Sequence, residues 1–81
     1  MTYTIYGKVD CPACKYLYQF CEELQVPYTK VTVDVDIPYS EFVSDFPHCS
    51  EVPYILDERG IQILYYDFIT NVQNEYSLDN V

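Results

Sequence analysis

The sequence predicts an α/β fold in which a mixed four-stranded sheet is flanked by helices, in the order β-α-β-α-β-β-α. Three observations carry that prediction. Two segments, Thr2 to Tyr6 and Tyr28 to Val35, alternate and are rich in β-branched and aromatic residues, as half-buried strands do. Between them, Ala13, Leu17, Phe20, Cys21 and Leu24 recur at helical spacing, which places them on one face of a helix. Further on, Val52 to Leu56 and Ile61 to Tyr65 flank Asp57-Glu58-Arg59-Gly60, the pattern of an antiparallel hairpin.

Each element has its own start and stop. Gly7 ends the first strand. Pro12 suits the first turn of the helix over residues 12–25, where no backbone N–H partner is needed, and Pro27 follows its end. Ile37 to Phe46 reads as a short second helix, with Pro38 opening it, Phe42, Val43 and Phe46 on one face, and Pro47 closing it. Gly60 supplies the positive φ that the hairpin needs. The last helix runs from Asp67 to Ser77, with Phe68, Ile69, Val72 and Tyr76 at helical spacing. The strand-helix-strand unit calls for a parallel pair joined by a right-handed crossover, and the hairpin adds an antiparallel half. With no repeat, linker or low-complexity tract, residues 1–81 read as one domain.

Composition bounds the function. At 81 residues with 49% apolar content, the chain supports one thin core, burying about 60% of its unfolded surface. Thirteen acidic residues against four basic ones leave a net charge of −9. Such a polyanion is not drawn to nucleic acid or to an anionic membrane. The opening MTYTIYG has neither the basic start nor the apolar block of a signal peptide, and no stretch approaches the roughly 20 apolar residues of a membrane span. A cytoplasmic location is expected.

A reducing compartment discourages structural disulfides, so a close cysteine pair there points to redox catalysis or metal binding. The cysteines are Cys11, Cys14, Cys21 and Cys49, and the first two form a CxxC at the strand-to-helix junction. The thiolate is the reactive form, and a helix N-terminus favours it through unpaired N–H groups and the positive end of the dipole. Lys8 and Lys15 flank the motif within an otherwise acidic chain. In such settings a thiol pKa falls from about 8.5 into the range of about 3.5 to 7.5, although Asp10 opposes the shift. Cys14, one helical turn on, reaches Cys11 yet is less exposed. Cys11 is therefore the nucleophile and Cys14 the resolving thiol.

A half zinc site is the competing reading of CxxC. Its further ligands would have to come from Cys21, His48 and Cys49. His48 and Cys49 are adjacent, a poor geometry for joint ligation, and Cys21 sits on the apolar helix face as a core thiol. No metal is expected. His48 reads as a surface histidine and Cys49 as an incidental loop thiol. The ten tyrosines read as core and rim packing, with Tyr54 and Tyr65 nearest the substrate groove.

These residues resemble the glutaredoxin family, within the thioredoxin-like fold. The match covers almost the whole chain: strand, Lys8-x-x-Cys11-Pro12-x-Cys14, helix, strand, short helix, Glu51-Val52-Pro53 opening a hairpin, and a last helix. The resemblance implies a cis Pro53 facing the CxxC, with Val52 offering its backbone to an extended peptide such as glutathione. It implies Lys8 as a glutathione carboxylate contact and puts Ala13 where Tyr is common, which lowers glutathione affinity. It further implies no bound cofactor, glutathione as reducing co-substrate, and protein disulfides or glutathione mixed disulfides as substrates. The departure follows the hairpin: family members carry Gly-Gly and then a polar or acidic residue, whereas this chain reads Ile63-Leu64-Tyr65-Tyr66-Asp67, with Leu64 and Tyr65 in place of the glycines or one glycine deleted. Asp67 is expected to cap the last helix, with receipt of the glutathione amine as its other role. Because the glycines are missing, an alternative implied by the resemblance is a glutaredoxin-like donor to ribonucleotide reductase, recharged by thioredoxin reductase. A third is a non-catalytic or iron–sulfur-binding adaptor, against which Pro12 weighs.

Overall fold

The computed structural model describes residues 2–47 and 51–76. Seven elements follow in order: β1 (Tyr3–Gly7), α1 (Pro12–Leu24), β2 (Tyr28–Thr32), α2 (Tyr39–Asp45), β3 (Tyr54–Leu56), β4 (Gln62–Ile63) and α3 (Tyr65–Tyr76). The sheet order is β2-β1-β3-β4. β1 runs parallel to β2 with Ile5 opposite Lys30, antiparallel to β3 with Ile5 opposite Ile55, and β3 and β4 form the hairpin. This is the predicted mixed sheet and element order.

Strand alternation distributes the core over both faces of the sheet. Tyr3 and Ile5 pack with Leu17, Phe20, Cys21, Phe68 and Val72 of α1 and α3. On the other face, Tyr6 joins Phe42, Phe46 and Tyr54 beside α2. Tyr3 meets Phe68 edge to face at 5.0 Å, and Phe46 meets Tyr54 at 4.5 Å. These aromatic contacts fasten α3 and α2 to opposite sides of the sheet.

The element edges depart from expectation for local reasons. β1 omits Thr2 and includes Gly7, which pairs with Thr32. A Cβ on Gly7 would run into the Tyr18 hydroxyl and Cys14 Sγ, so this glycine admits α1 rather than ending the strand. Ala13 is exposed, and the buried face of α1 runs through Cys14, Leu17, Tyr18, Phe20 and Cys21. α1 ends at Leu24, with Gln25 in the left-handed region at φ 58° and its N–H donating to the Cys21 and Glu22 carbonyls.

β2 stops at Thr32, short of Val35. The Asp36 carboxylate accepts the Thr32 N–H at 2.8 Å, and Asp34 Oδ1 accepts the Tyr39 N–H at 3.0 Å. Two aspartates satisfying local backbone donors turn the chain where alternation alone would continue the strand. Pro38 and Phe46 become the caps of α2 rather than members of it.

β3 begins at Tyr54, after a cis Val52–Pro53 peptide. Gly60 has the expected positive φ, 80°. β4 is shorter than predicted because Leu64 already serves the last helix: its carbonyl accepts the Phe68 N–H at 2.8 Å. α3 therefore starts at Tyr65, and Asp67 is not its cap but an exposed residue of its first turn, where a carboxylate still suits the dipole. His48, Cys49 and Ser77 lie outside the described residues.

Candidate active site

The C-terminal end of β1 delivers the chain to α1 through Lys8 to Asp10. Cys11 is the N-cap of α1 with extended backbone at φ −117°, and Pro12 holds the first helical position. Pro12 has no N–H to leave unsatisfied there. The Cys11 sulfur takes the place of a capping side-chain oxygen: it accepts the Cys14 N–H at 3.1 Å, while the Cys11 carbonyl accepts from Lys15 N–H at 3.1 Å. The Cys11 sulfur thus lies at the N-terminus of α1, where free backbone N–H groups and the positive end of the dipole meet it.

Cys11 and Cys14 are joined by a disulfide, with Cα atoms 5.2 Å apart. Cys11 is half-buried and Cys14 has no solvent exposure. Of the pair, Cys11 is the accessible one. Cys21 differs in kind: it is a fully buried free thiol, and burial pushes its pKa up to about 11. Among the described residues no three His, Cys, Asp or Glu side chains gather as a metal site.

Cys11 opens onto a groove of about 550 Å³. Of the residues singled out from sequence, Lys8, Pro12 and Val52 line it with Cys11. Pro53, half-buried, adjoins Val52 without lining the groove, and Asp67 on α3 is outside it. Tyr54 and Tyr65 do not line it either; Tyr54 is buried in the cluster beside α2.

Part of the lining was not anticipated. It comes from the turn after β2, through Val33, Asp34 and Val35, together with Val9. Val9 and Val35 are 61% and 68% exposed, so two aliphatic side chains stand in water beside the disulfide. The spaced aspartates at 34 and 36 were the available signal, since they mark a turn rather than more strand. The Lys8 ammonium lies 4.7 Å from the Tyr39 ring centre, within cation–π range. Its charge stands in the same groove as the carboxyls of Asp10 and Asp34.

Comparison with solved structures gives close three-dimensional matches. A glutathione S-transferase from Drosophila melanogaster, isozyme E7, matches with a TM-score of 0.67 at 23% identity over 94% of this chain. Ure2p in complex with glutathione matches at 0.70, with 22% identity over 95%. An epsilon-class glutathione S-transferase from the housefly, Musca domestica, matches at 0.70, with 17% identity over 96%.

The fold is thioredoxin-like. This chain spans 35–37% of the length of those proteins. No protein-family model matches it, and no curated protein matches it in sequence. Within the thioredoxin-like frame, the CxxC stands where the first strand hands over to the first helix, and the cis Val52–Pro53 peptide precedes the strand that pairs with β1. No helix among the described residues is long and apolar enough to cross a membrane.

Proposed function

We propose that this protein is a glutaredoxin-type thiol–disulfide oxidoreductase, acting as a single cytoplasmic domain on protein disulfides or glutathione mixed disulfides. The observation that carries the reading is the asymmetric pair: Cys11 capping α1 at a groove, and Cys14 buried behind it. The Cys11 thiolate attacks a substrate disulfide, forming a mixed disulfide and releasing one substrate thiolate. Cys14, as thiolate, then attacks Cys11 Sγ, forming the internal disulfide and releasing the second substrate sulfur. Two electrons and, after protonation, two protons pass from the dithiol to the substrate. Two glutathione thiols restore the dithiol and leave as glutathione disulfide.

Glutathione as co-substrate is supported by the structural neighbours, glutathione S-transferases and the Ure2p complex with glutathione. Lys8, Pro12 and Val52 supply the groove for it, Pro53 fixes the approach of Val52, and no bound metal or prosthetic group is required. Asp67 stands apart from that groove and serves the glutathione amine only if the ligand extends along α3.

A second reading keeps the chemistry and changes the electron donor to thioredoxin reductase, with ribonucleotide reductase among the proteins served. It is favoured by Leu64 and Tyr65 at the start of α3, where the resemblance calls for glycines: Leu64 is 63% exposed and Tyr65 packs half-buried against the core. The test follows reduction of a small disulfide with each system in turn: glutathione with its reductase, or thioredoxin reductase alone. Turnover with glutathione is the expected result. Turnover only with thioredoxin reductase selects the second reading. Absence of disulfide turnover with both, or conjugation of glutathione to an electrophile as the only activity, overturns both.

A further inference from the structure

Three of the chain's four basic side chains, Lys8, Lys15 and Lys30, line one pocket of about 220 Å³ with Val9, Tyr18 and Thr32. No carboxylate contributes to its lining. Among the described residues none of the three lysines pairs with a carboxylate, whereas Arg59 lies 3.7 Å from Asp57. In a chain with thirteen acidic residues, three cations gathered around one pocket without a direct ion pair make it locally more positive than the surface around it, although Asp10 and Asp34 share the neighbouring groove with Lys8.

Two of the cations rest against aromatic rings, Lys8 at 4.7 Å from the Tyr39 ring centre and Lys30 on Tyr18. The Lys30 ammonium lies 4.7 Å from the centre of the Tyr18 ring, which itself stacks on Tyr28 at 5.7 Å. Lys15 follows Cys14 directly on α1, and its N–H is fixed to the Cys11 carbonyl. Lys8 and Val9 belong both to this pocket and to the groove at Cys11. The positive pocket is therefore continuous with the reactive sulfur. A ligand long enough to run from Cys11 past Lys8 and Val9, as a peptide segment is, reaches the pocket of Lys15 and Lys30.

We propose that the Lys8–Lys15–Lys30 pocket docks an acidic segment of the disulfide-bearing protein substrate, taking aspartate or glutamate carboxylates close in sequence to the reacting cysteine. The proposal rests on the oxidoreductase reading and names its substrate class. The rest of this acidic surface repels such a segment, so the pocket sets orientation as well as encounter rate.

The experiment compares synthetic peptide disulfides that share one reacting cysteine flanked by glutamates, glutamines or lysines. Uncharged bis(2-hydroxyethyl) disulfide is the reference substrate. The glutamate peptide is expected to show a kcat/KM about tenfold above the glutamine peptide at low ionic strength. That advantage fades in about 0.5 M salt, where screening acts over a few ångströms. Lys30→Glu, and more mildly Lys30→Gln, abolishes the preference while leaving turnover of the reference disulfide unchanged. Equal rates for the glutamate and glutamine peptides, or a preference that survives Lys30→Glu, overturns the docking site. Binding of a serine-for-cysteine version of each peptide, followed by fluorescence anisotropy, reads docking without chemistry. Loss of reference turnover together with retained glutamate-dependent binding sinks the oxidoreductase reading and leaves the acidic-segment site standing. Absence of glutamate-dependent binding overturns the site whatever the turnover.

Discussion

The backbone N–H of Cys14 donates to the Cys11 sulfur at 3.1 Å, while the Cys14 side chain is itself fully buried. One cysteine is offered to the groove and the other is kept beneath it. The two substitutions should therefore differ. Cys11→Ser is expected to reduce both a protein disulfide and a glutathione mixed disulfide only at the background rate. Cys14→Ser should spare exchange with the glutathione mixed disulfide and lose dithiol reduction of the protein disulfide. Activity in Cys11→Ser equal to that of the parent protein assigns the nucleophile elsewhere.

Tyr18 and Gly7 form a second testable pair. The Tyr18 hydroxyl is buried without a hydrogen-bond partner among the described residues, and it lies where a Cβ on Gly7 would go. An unsatisfied buried hydroxyl costs about 1–3 kcal/mol. Tyr18→Phe should therefore raise the stability of the disulfide form by about 1 kcal/mol. Gly7→Ala should lower stability by about 1–3 kcal/mol, the usual cost of overpacking. In the double variant the alanine should cost less, because the obstructing oxygen is gone. Urea titrations of the four proteins give the coupling, and strictly additive effects refute the contact.

The hairpin turn depends on Asp57. Its Oδ1 accepts the Arg59 N–H at 2.8 Å and the Ile61 N–H at 3.0 Å. The Ile61 backbone bond, with help from Arg59, holds the carboxyl below its ordinary value of 3.8. A pKa that is lower in the folded than in the unfolded chain gives stability that is present above the unfolded value and lost as pH falls through the folded one. Asp57→Ala should speed amide exchange at Arg59 and Ile61 and remove this part of the acid transition. Asp57→Asn, which keeps the acceptor oxygen, should protect the two amides better than alanine does. Equal exchange in all three proteins contradicts the role.

The sequence conveys the layers of this fold better than its edges. Period-two alternation in Tyr3 to Tyr6 and the helical spacing of Phe68 and Val72 are set by burial against the sheet, which is why they are readable. The end of β2 is not, because valines at 33 and 35 keep the strand pattern while the aspartates between and after them bind backbone donors and turn the chain. The same turn hid part of the groove, since Val35 reads as strand and stands exposed beside Cys11. Lys8 and Pro12 line the groove as sequence neighbours of the CxxC, whereas Val52, far off in sequence, was named only through the resemblance. Asp67 was placed by counting from the hairpin, and it fails as a cap because Leu64 begins the helical hydrogen bonding earlier.

Alkaline conditions should weaken the protein through two groups packed together. Burial, with Glu22 adding to it, raises the Cys21 thiol from 9.0 to about 11. Burial and the hydrogen bond of its hydroxyl to Glu22, 3.0 Å long, raise Tyr28 from 10.0 to about 12. In both cases the folded chain holds its proton to higher pH than the unfolded chain. The unfolded state therefore binds fewer protons above about pH 9, and stability falls as pH rises. The stabilising contribution is whole below the unfolded values. It is lost across the window from 9.0 to about 11 for Cys21 and from 10.0 to about 12 for Tyr28. Urea midpoints measured upward from pH 8 should decline, and Cys21→Ala should flatten the first part of that decline at the cost of a small cavity. Tyr28→Phe should flatten the later part. At neutral pH the same burial keeps Cys21 unreactive, so timed alkylation of the reduced protein should label Cys11 well before Cys21. Early labelling of Cys21 in the folded protein contradicts its place in the core.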